Sequence, residues 1–215
     1  MILAFNGSPR LKGNTAAMLQ AALDGAASAG AETRLIHLYP LKAKGCISCF
    51  SCKRKGGKHG VCAMNDELSP ILELMKQADG LIFGSPIYYY NVTPELLALL
   101  HRFMFSNMLY TKKDRWQYGR VIPSAFVYTF GVPPEMTESI LAPFAAVHTR
   151  MGEMLGMESE ICCAANAWQF HDYSRYEADL FDEDSKKFYR EEMFPLELEK
   201  ARRMGERMAR RALQR

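Results

Sequence analysis

Short apolar runs alternate along the chain with stretches whose apolar residues recur at helical spacing. "ILAF" (residues 2–5) is the first such run and ends in the turn "NGSPR". The segment from Asn14 to about Ala29, rich in Ala and Leu, then predicts a helix closed near Gly30. "TRLIHLY" (33–39) predicts a second strand and "GLIFGSP" from Gly80 a third. "VIPSAFVYTF" (121–130) predicts a fourth, with Pro123 near its start, and "SEICCAANA" (159–167) a fifth.

Helical spacing fills the gaps between these strands. "DELSPILELMKQAD" (66–79) takes Asp66 as its N-cap, and "TPELLALLHRFMF" from Thr93 carries Pro94 at its first position. A further helix is expected over 135–155, and a long amphipathic helix over about 173–213. Continuous apolar strands separated by helices imply an α/β fold, with a parallel sheet covered on both faces. No repeat, low-complexity tract or composition shift marks a second domain, so residues 1–215 read as one.

Composition narrows the class without changing it. The 215 residues are 48% hydrophobic and 24% charged, an ordinary globular balance. The opening "MILAFNGSPR" lacks the run and cleavage pattern of a secretory signal, and no stretch approaches the ~18 apolar residues of a membrane span. The expected location is cytoplasmic, with no membrane partner, where thiols stay reduced. The net charge of +3 is mild, and the basic run "KARRMGERMARRALQR" reads as a solvated terminal helix rather than a nucleic-acid surface.

In open parallel sheets ligands bind at the carboxyl ends of the strands. The first loop there is "NGSPRLKGNT" (6–15). Ser8, Asn14 and Thr15 offer hydroxyl and amide groups, Arg10 a forked cation, and Gly13 a tight turn before a helix N-terminus, a set that suits a terminal phosphate. Neither G-x-x-x-x-G-K-[ST] nor G-x-G-x-x-G is present. The second loop, "GSPIYYYNVTPELLALL" from Gly84, sets three tyrosines after Pro86 and supplies apolar and aromatic walls for a flat ring. Taken alone a Tyr triplet is more often packing or an interface; beside a phosphate loop it points to flavin mononucleotide, FMN.

"GCISCFSCKRKGGKHGVC" (45–62) holds four of the six cysteines. Cys46, Cys49 and Cys52 follow the C-x₂-C-x₂-C spacing of an iron–sulfur site, and Cys62 follows after the basic, Gly-rich "KRKGGKHGV". Zinc more often uses two separated C-x₂-C knuckles and ranks below a cluster. Free thiols, made reactive by neighbouring Lys and Arg, stand equal with the cluster, and the spacing does not decide between them. Cys162 and Cys163 read as apolar fillers of the fifth strand. His101 and His148 read as packing or solvent-exposed residues, and His59 as a surface residue. Trp116 and Tyr118 are candidates to close over a flavin.

Together "GSPRLKGNT", "GCISCFSC…C" followed by "DEL", "GSPIYYYNVTPELLALLHR" and "YTFG" (128–131) resemble the flavodoxin-fold NAD(P)H-dependent FMN reductases and their iron–sulfur flavoprotein branch, over about the first 155 residues. The resemblance implies a flavodoxin-like five-stranded sheet of order 2-1-3-4-5. It implies that Ser8, Arg10, Gly13, Asn14 and Thr15 bind FMN phosphate, that Pro86, Ile87, Tyr88 and Asn91 line the isoalloxazine, and that Thr129 and Gly131 lie along its other edge. Hydride would come from NAD(P)H and leave to a flavin, quinone or similar acceptor, with no separate acid–base pair. The alternative is an iron–sulfur flavoprotein passing electrons through a [4Fe–4S] cluster held by Cys46, Cys49, Cys52 and Cys62. A non-enzymatic flavodoxin-like sensor is the third reading, and the mildly basic charge counts against a plain carrier. A small redox acceptor or an electron-transfer protein is the expected partner, and a homodimer or homotetramer the expected assembly.

Overall fold

A computed structural model describes residues 1–214. Five parallel strands form one sheet in the order β2-β1-β3-β4-β5. They are β1 (Ile2–Asn6), β2 (Thr33–His37), β3 (Gly80–Pro86), β4 (Ser124–Thr129) and β5 (Glu160–Ala164). Pro123 sits just before β4, where its missing N–H removes no internal ladder bond. The register sets Asn6 opposite Gly84 and Pro86 opposite Thr129, so β1, β3 and β4 finish side by side.

Helices α1 (Asn14–Ser28) and α7 (Phe194–Leu213) cover one face; α2 (Ser69–Gln77), α3 (Pro94–Ser106) and α5 (Ala145–Leu155) cover the other. Strand alternation divides the core between them. Leu3, Phe5, Phe83, Phe126 and Tyr128 point to the second face, where Phe5–Phe83 and Phe83–Phe126 stand 5.5 and 5.2 Å apart in a continuous aromatic layer. Burying each such ring stabilises the fold by about 2 kcal/mol. Ile2, Ala4, Ala125 and Val127 point the other way and leave a shallow surface. On it α1 and α7 cross with backbones in contact: a Cβ on Gly25 would collide with the Arg202 carbonyl, and one on Gly205 with that of Ala22.

Several element limits differ from the sequence expectation, each for a local reason. The helix expected over 135–155 is broken. A short α4 (Thr137–Leu141) passes through a 3₁₀ turn at Ala142–Phe144 into α5, because Pro143 cannot continue an α-helical ladder. The helix expected over 173–213 starts ten residues later. Tyr173–Arg175 makes a single 3₁₀ turn capped by Asp172. The α6 helix (Glu183–Phe188) begins where the Asp182 carboxylate accepts the Ser185 N–H at 3.2 Å, then runs through a π-helical turn, Tyr189–Met193, into α7. Asp66 does not cap α2, which starts at Ser69; its carboxylate is held by Arg102 instead. Among the described residues no helix is long and apolar enough to cross a membrane.

Candidate functional site

The loops at the carboxyl ends of β1, β3, β4 and β5 enclose one cavity of about 520 Å³, within the range of cofactor sites. The β1 loop is tied to itself: Ser8 N–H donates to Asn6 Oδ1 at 3.0 Å, and Arg10 N–H to Ser8 Oγ at 3.1 Å. No side chain caps α1, so its leading N–H groups remain available to an anion. Thr15 Oγ1 and Thr129 Oγ1, both buried, lie 2.8 Å apart and join this loop to the end of β4.

Ser8, Arg10, Gly13, Asn14 and Thr15 all border the cavity, as do Pro86, Ile87 and Tyr88, with Thr129 and Gly131. Asn91 does not. Tyr88 and Asn91 exchange backbone hydrogen bonds of 2.8 and 3.0 Å that close a two-residue turn, and Asn91 Oδ1 accepts the Val92 N–H. Tyr89 and Tyr90 at its tip have φ of 48° and 62°, a left-handed conformation costing about 1–2 kcal/mol per non-glycine residue. Asn91 therefore shapes the turn that presents Tyr88.

Sequence reasoning missed the β5 side. Trp168, Gln169, Phe170 and His171 border the cavity, together with Lys12 and Arg190. Gln169 carbonyl oxygen accepts from Arg10 Nη1 at 2.6 Å, and Trp168 carbonyl oxygen from Asn14 Nδ2 at 3.0 Å, so this loop lies against the β1 loop. The aromatic run "NAWQFHDY" straight after the fifth strand was the available signal. Gly131 leaves the space that the Gln169 amide occupies; a Cβ there would collide with Gln169 Nε2. Tyr118 is not at this site. It is buried in the core, with its hydroxyl donating to the Met75 carbonyl at 2.9 Å, while Trp116 borders a separate cavity with Cys46.

One wall is thus cationic and rich in hydrogen-bonding groups, and the facing walls are aromatic and apolar. Among the described residues no Asp or Glu borders the cavity, and the buried Gln169 Oε1 has no hydrogen-bond partner. This donor set fits a ligand with an anionic end, a flat ring and a donor N–H or O–H, which describes FMN. Behind the site, the Tyr128 hydroxyl and His148 Nε2 are 2.8 Å apart in the core. Burial lowers the His148 pKa to about 4 and pushes the Tyr128 hydroxyl well up, so both stay neutral packing groups.

The sequence pattern of the NADPH-dependent FMN reductases matches residues 1–138. The chain belongs to that family. Its relatives include an iron–sulfur flavoprotein of Methanocaldococcus jannaschii, 39% identical over 101 residues, covering 47% of this chain and 50% of that protein. Another, from Methanosarcina thermophila, is 32% identical over 101 residues, with 47% and 51% covered. The chain thus spans about half the length of the curated relatives it matches. Among solved structures, this FMN reductase family member resembles an NAD(P)H:quinone oxidoreductase from Methanothermobacter marburgensis, with TM-score 0.64 and 17% identity over 95% of this chain and 94% of that one. An azoreductase from Bacillus anthracis follows the same fold at TM-score 0.57 and 16% identity, covering 96% and 98%. These neighbours establish the flavodoxin-like architecture.

The cysteine loop is the second candidate site. Cys46, Cys49, Cys52 and Cys62 border one cavity of about 20 Å³, together with Phe50, Arg102 and Phe105. Among the described residues no two cysteines are joined by a disulfide. The loop has one short 3₁₀ turn, Ser51–Lys53, and is held to α3 by Arg102, by Lys53 Nζ donating to the Phe105 carbonyl and by the Gly60 N–H donating to the Ser106 carbonyl at 3.1 Å. Arg102 Nη1 reaches both Asp66 carboxylate oxygens at 2.7 and 2.6 Å and the Lys44 carbonyl at 3.3 Å. Burial alone would raise the Asp66 carboxyl; Arg102 and the Lys44 and Leu68 N–H groups outweigh it and hold it below the usual range. Arg102 Nε is buried without a partner, and Lys53 Nζ lies 3.2 Å from Cys52 Sγ. The Ser51 N–H and hydroxyl hold the exposed Cys49 thiol below its ordinary pKa. Among the described residues no three His, Cys, Asp or Glu side chains are gathered on one ion position. The four thiols and their cationic neighbours are a donor set that suits a cluster of four thiolates. Cys162 is buried and Cys163 half-buried, and burial raises both thiols.

Proposed function

We propose that this chain, as a single flavodoxin-like domain, binds FMN in the cavity at the strand ends and is an oxidoreductase. It takes hydride from NAD(P)H and reduces a flavin, quinone or similar acceptor. The observation that carries this reading is the single cavity in which the uncapped α1 terminus and Arg10 face the walls of Ile87, Tyr88 and Trp168, with no acidic residue between them. FMN, when bound, supplies the hydride chemistry. Ser8, Arg10, Asn14 and Thr15 hold its phosphate, Pro86, Ile87 and Tyr88 hold the ring on one side, and Thr129 and Gly131 hold its far edge. Gln169 offers its unpaired oxygen as an acceptor. The aromatic walls exclude water from the ring, and the β1 loop keeps the phosphate oriented.

Titration of flavin-stripped protein with FMN tests the binding, and anaerobic turnover of NADH and NADPH with a quinone tests the activity. Tight FMN binding with nicotinamide-dependent quinone reduction is the expected result. FMN binding without any nicotinamide oxidation would leave a carrier or sensor.

The shared cavity of the four cysteines, beside Arg102 and Lys53, favours a second reading in which an iron–sulfur cluster exchanges electrons with an electron-transfer protein. Anaerobic reconstitution should then give about four irons and matching acid-labile sulfide per chain, lost in Cys49→Ser. Iron-free protein with four thiols open to alkylation would remove this reading. The exposed Tyr88, Tyr89 and Tyr90 support assembly as a homodimer or homotetramer, which light scattering measures directly.

A further inference from the structure

The segment after β5 reaches back to the cavity, and it lies outside residues 1–138, the part matched to the family. Four of its residues, spaced i, i+1, i+4 and i+5, share one face across α6 and the π-helical turn. Ser185 Oγ accepts Asn166 Nδ2 at 3.0 Å, and the Tyr189 hydroxyl accepts the Ala165 N–H at 3.2 Å. Lys186, only 1% exposed, donates to the Gly131 carbonyl at 2.8 Å, to Asn166 Oδ1 at 3.2 Å and to the Ala167 carbonyl at 3.3 Å. These bonds pin the segment to the loops after β4 and β5.

Arg190 is the fourth. It borders the cavity, and its Nη1 donates to Asn14 Oδ1 at 3.0 Å, at the first residue of α1. Its guanidinium stacks over Phe194, 4.7 Å from the ring centre, which aims the fork rather than leaving it to swing. Among the described residues neither Arg190 nor Arg10 nor Lys12 forms an ion pair with a carboxylate. Three cations therefore meet beside an uncapped helix N-terminus with no anion to balance them. A π-helical turn moves side chains out of α-helical phase, and such turns recur at functional sites.

We propose that Arg190, brought by the π-helical turn from the C-terminal segment, is a second cation for the terminal phosphate of FMN, opposite Arg10. This rests on the FMN reading above. It makes phosphate recognition a joint product of the first loop and the C-terminal segment: Asn14 touches both, donating to Trp168 and accepting from Arg190.

The test compares FMN with riboflavin, which has the same ring and no phosphate, by fluorescence titration of the full chain after flavin removal. A charge-assisted hydrogen bond lost from the phosphate weakens binding by roughly 10- to 100-fold. Arg190→Met should weaken FMN by that factor and leave riboflavin within about twofold. Arg190→Lys should retain most of the preference. An unchanged ratio of FMN to riboflavin affinity in Arg190→Met overturns the proposal, and so does an equal loss for both ligands, which would mark a purely structural residue. If the wild-type chain binds neither flavin, the FMN reading itself falls. If it binds FMN but Arg190→Met does not alter the preference, only this inference falls.

Discussion

The two candidate sites sit at the same rim but are held in opposite ways. The proposed FMN cavity is built on the ends of four adjacent strands, and its loops are tied to one another by Thr15–Thr129, Arg10–Gln169, Asn14–Trp168 and Asn14–Arg190. The cysteine loop has almost no regular structure and is closed at its base by one buried arginine, whose partners Lys44, Met64 and Asp66 lie on either side of it. A site on strand ends inherits the rigidity of the sheet. A loop held by one ion pair and a few bonds to α3 does not inherit that rigidity. Loss of one site should therefore leave the other standing.

Arg102→Met tests that separation most severely. Removing one partner of a buried pair costs about 4 kcal/mol, and here the loop loses the ion pair that closes its base, leaving the Gly60–Ser106 and Lys53–Phe105 bonds to the end of α3. Thermal unfolding should fall accordingly and all four loop cysteines should alkylate rapidly, while FMN affinity changes less than about twofold. A matching collapse in FMN affinity would mean that the sites are one mechanical unit.

Gly205→Ala probes the sheet side. The new methyl meets the Ala22 carbonyl, so α7 must lift from α1, at a cost of about 3 kcal/mol for overpacking. Because α7 continues from the turn carrying Arg190, FMN binding should weaken with stability, and cysteine reactivity should not change. A chain as stable as wild type would show that the two helices can separate freely.

The same contrast explains what could be read beforehand. β1, β3 and β4 were legible because each carries a continuous apolar run, and their loops because glycine, proline and hydroxyl residues stand at strand ends where ligand loops gather. The β5 loop was not. The aromatic run after β5 signalled a wall, but the Trp168 and Gln169 carbonyls that tie this loop to Asn14 and Arg10 are encoded by no side-chain pattern. Arg190 came into view only with the π-helical turn, since a helix assumed continuous from residue 173 hides its phase. Tyr118 misled because an aromatic before a strand reads equally as cover or core, and the hydroxyl's partner, the Met75 carbonyl, is 43 residues away. For the cysteines, spacing gave the donors and left the tertiary frame, Arg102 with Asp66, unseen.

Acid should separate the two regions in order. His148, packed against Tyr128 behind the FMN cavity, has its pKa lowered from 6.5 to about 4 by burial. Between those values the unfolded chain binds the extra proton, so stability falls as pH drops from about 6.5 to 4, by of order 3 kcal/mol in all. Asp66 is held below its ordinary 3.8, and its contribution is lost only as pH falls through that lower folded value. Denaturation followed at several pH values should thus show the first loss in wild type and its absence in His148→Phe. A His148→Phe profile identical to wild type would assign the acid loss to other groups.

The smallest expected effect is the most local. A methyl at Gly131 meets only the tip of the Gln169 side chain, which can rotate away, so Gly131→Ala should leave the unfolding midpoint nearly unchanged. Rotation moves the unpaired Gln169 Oε1 from the place where it is offered to the ligand. A hydrogen bond lost inside a cavity is worth about 1.4 kcal/mol, a tenfold weaker FMN Kd. Riboflavin should weaken equally, because the oxygen serves the ring or ribityl part and not the phosphate. That pattern is the reverse of the one expected for Arg190→Met, and the two variants together would divide the cavity into a ring end governed by the β4 and β5 loops and a phosphate end governed by α1 and the C-terminal segment. Equal behaviour of the two variants toward both flavins would erase that division.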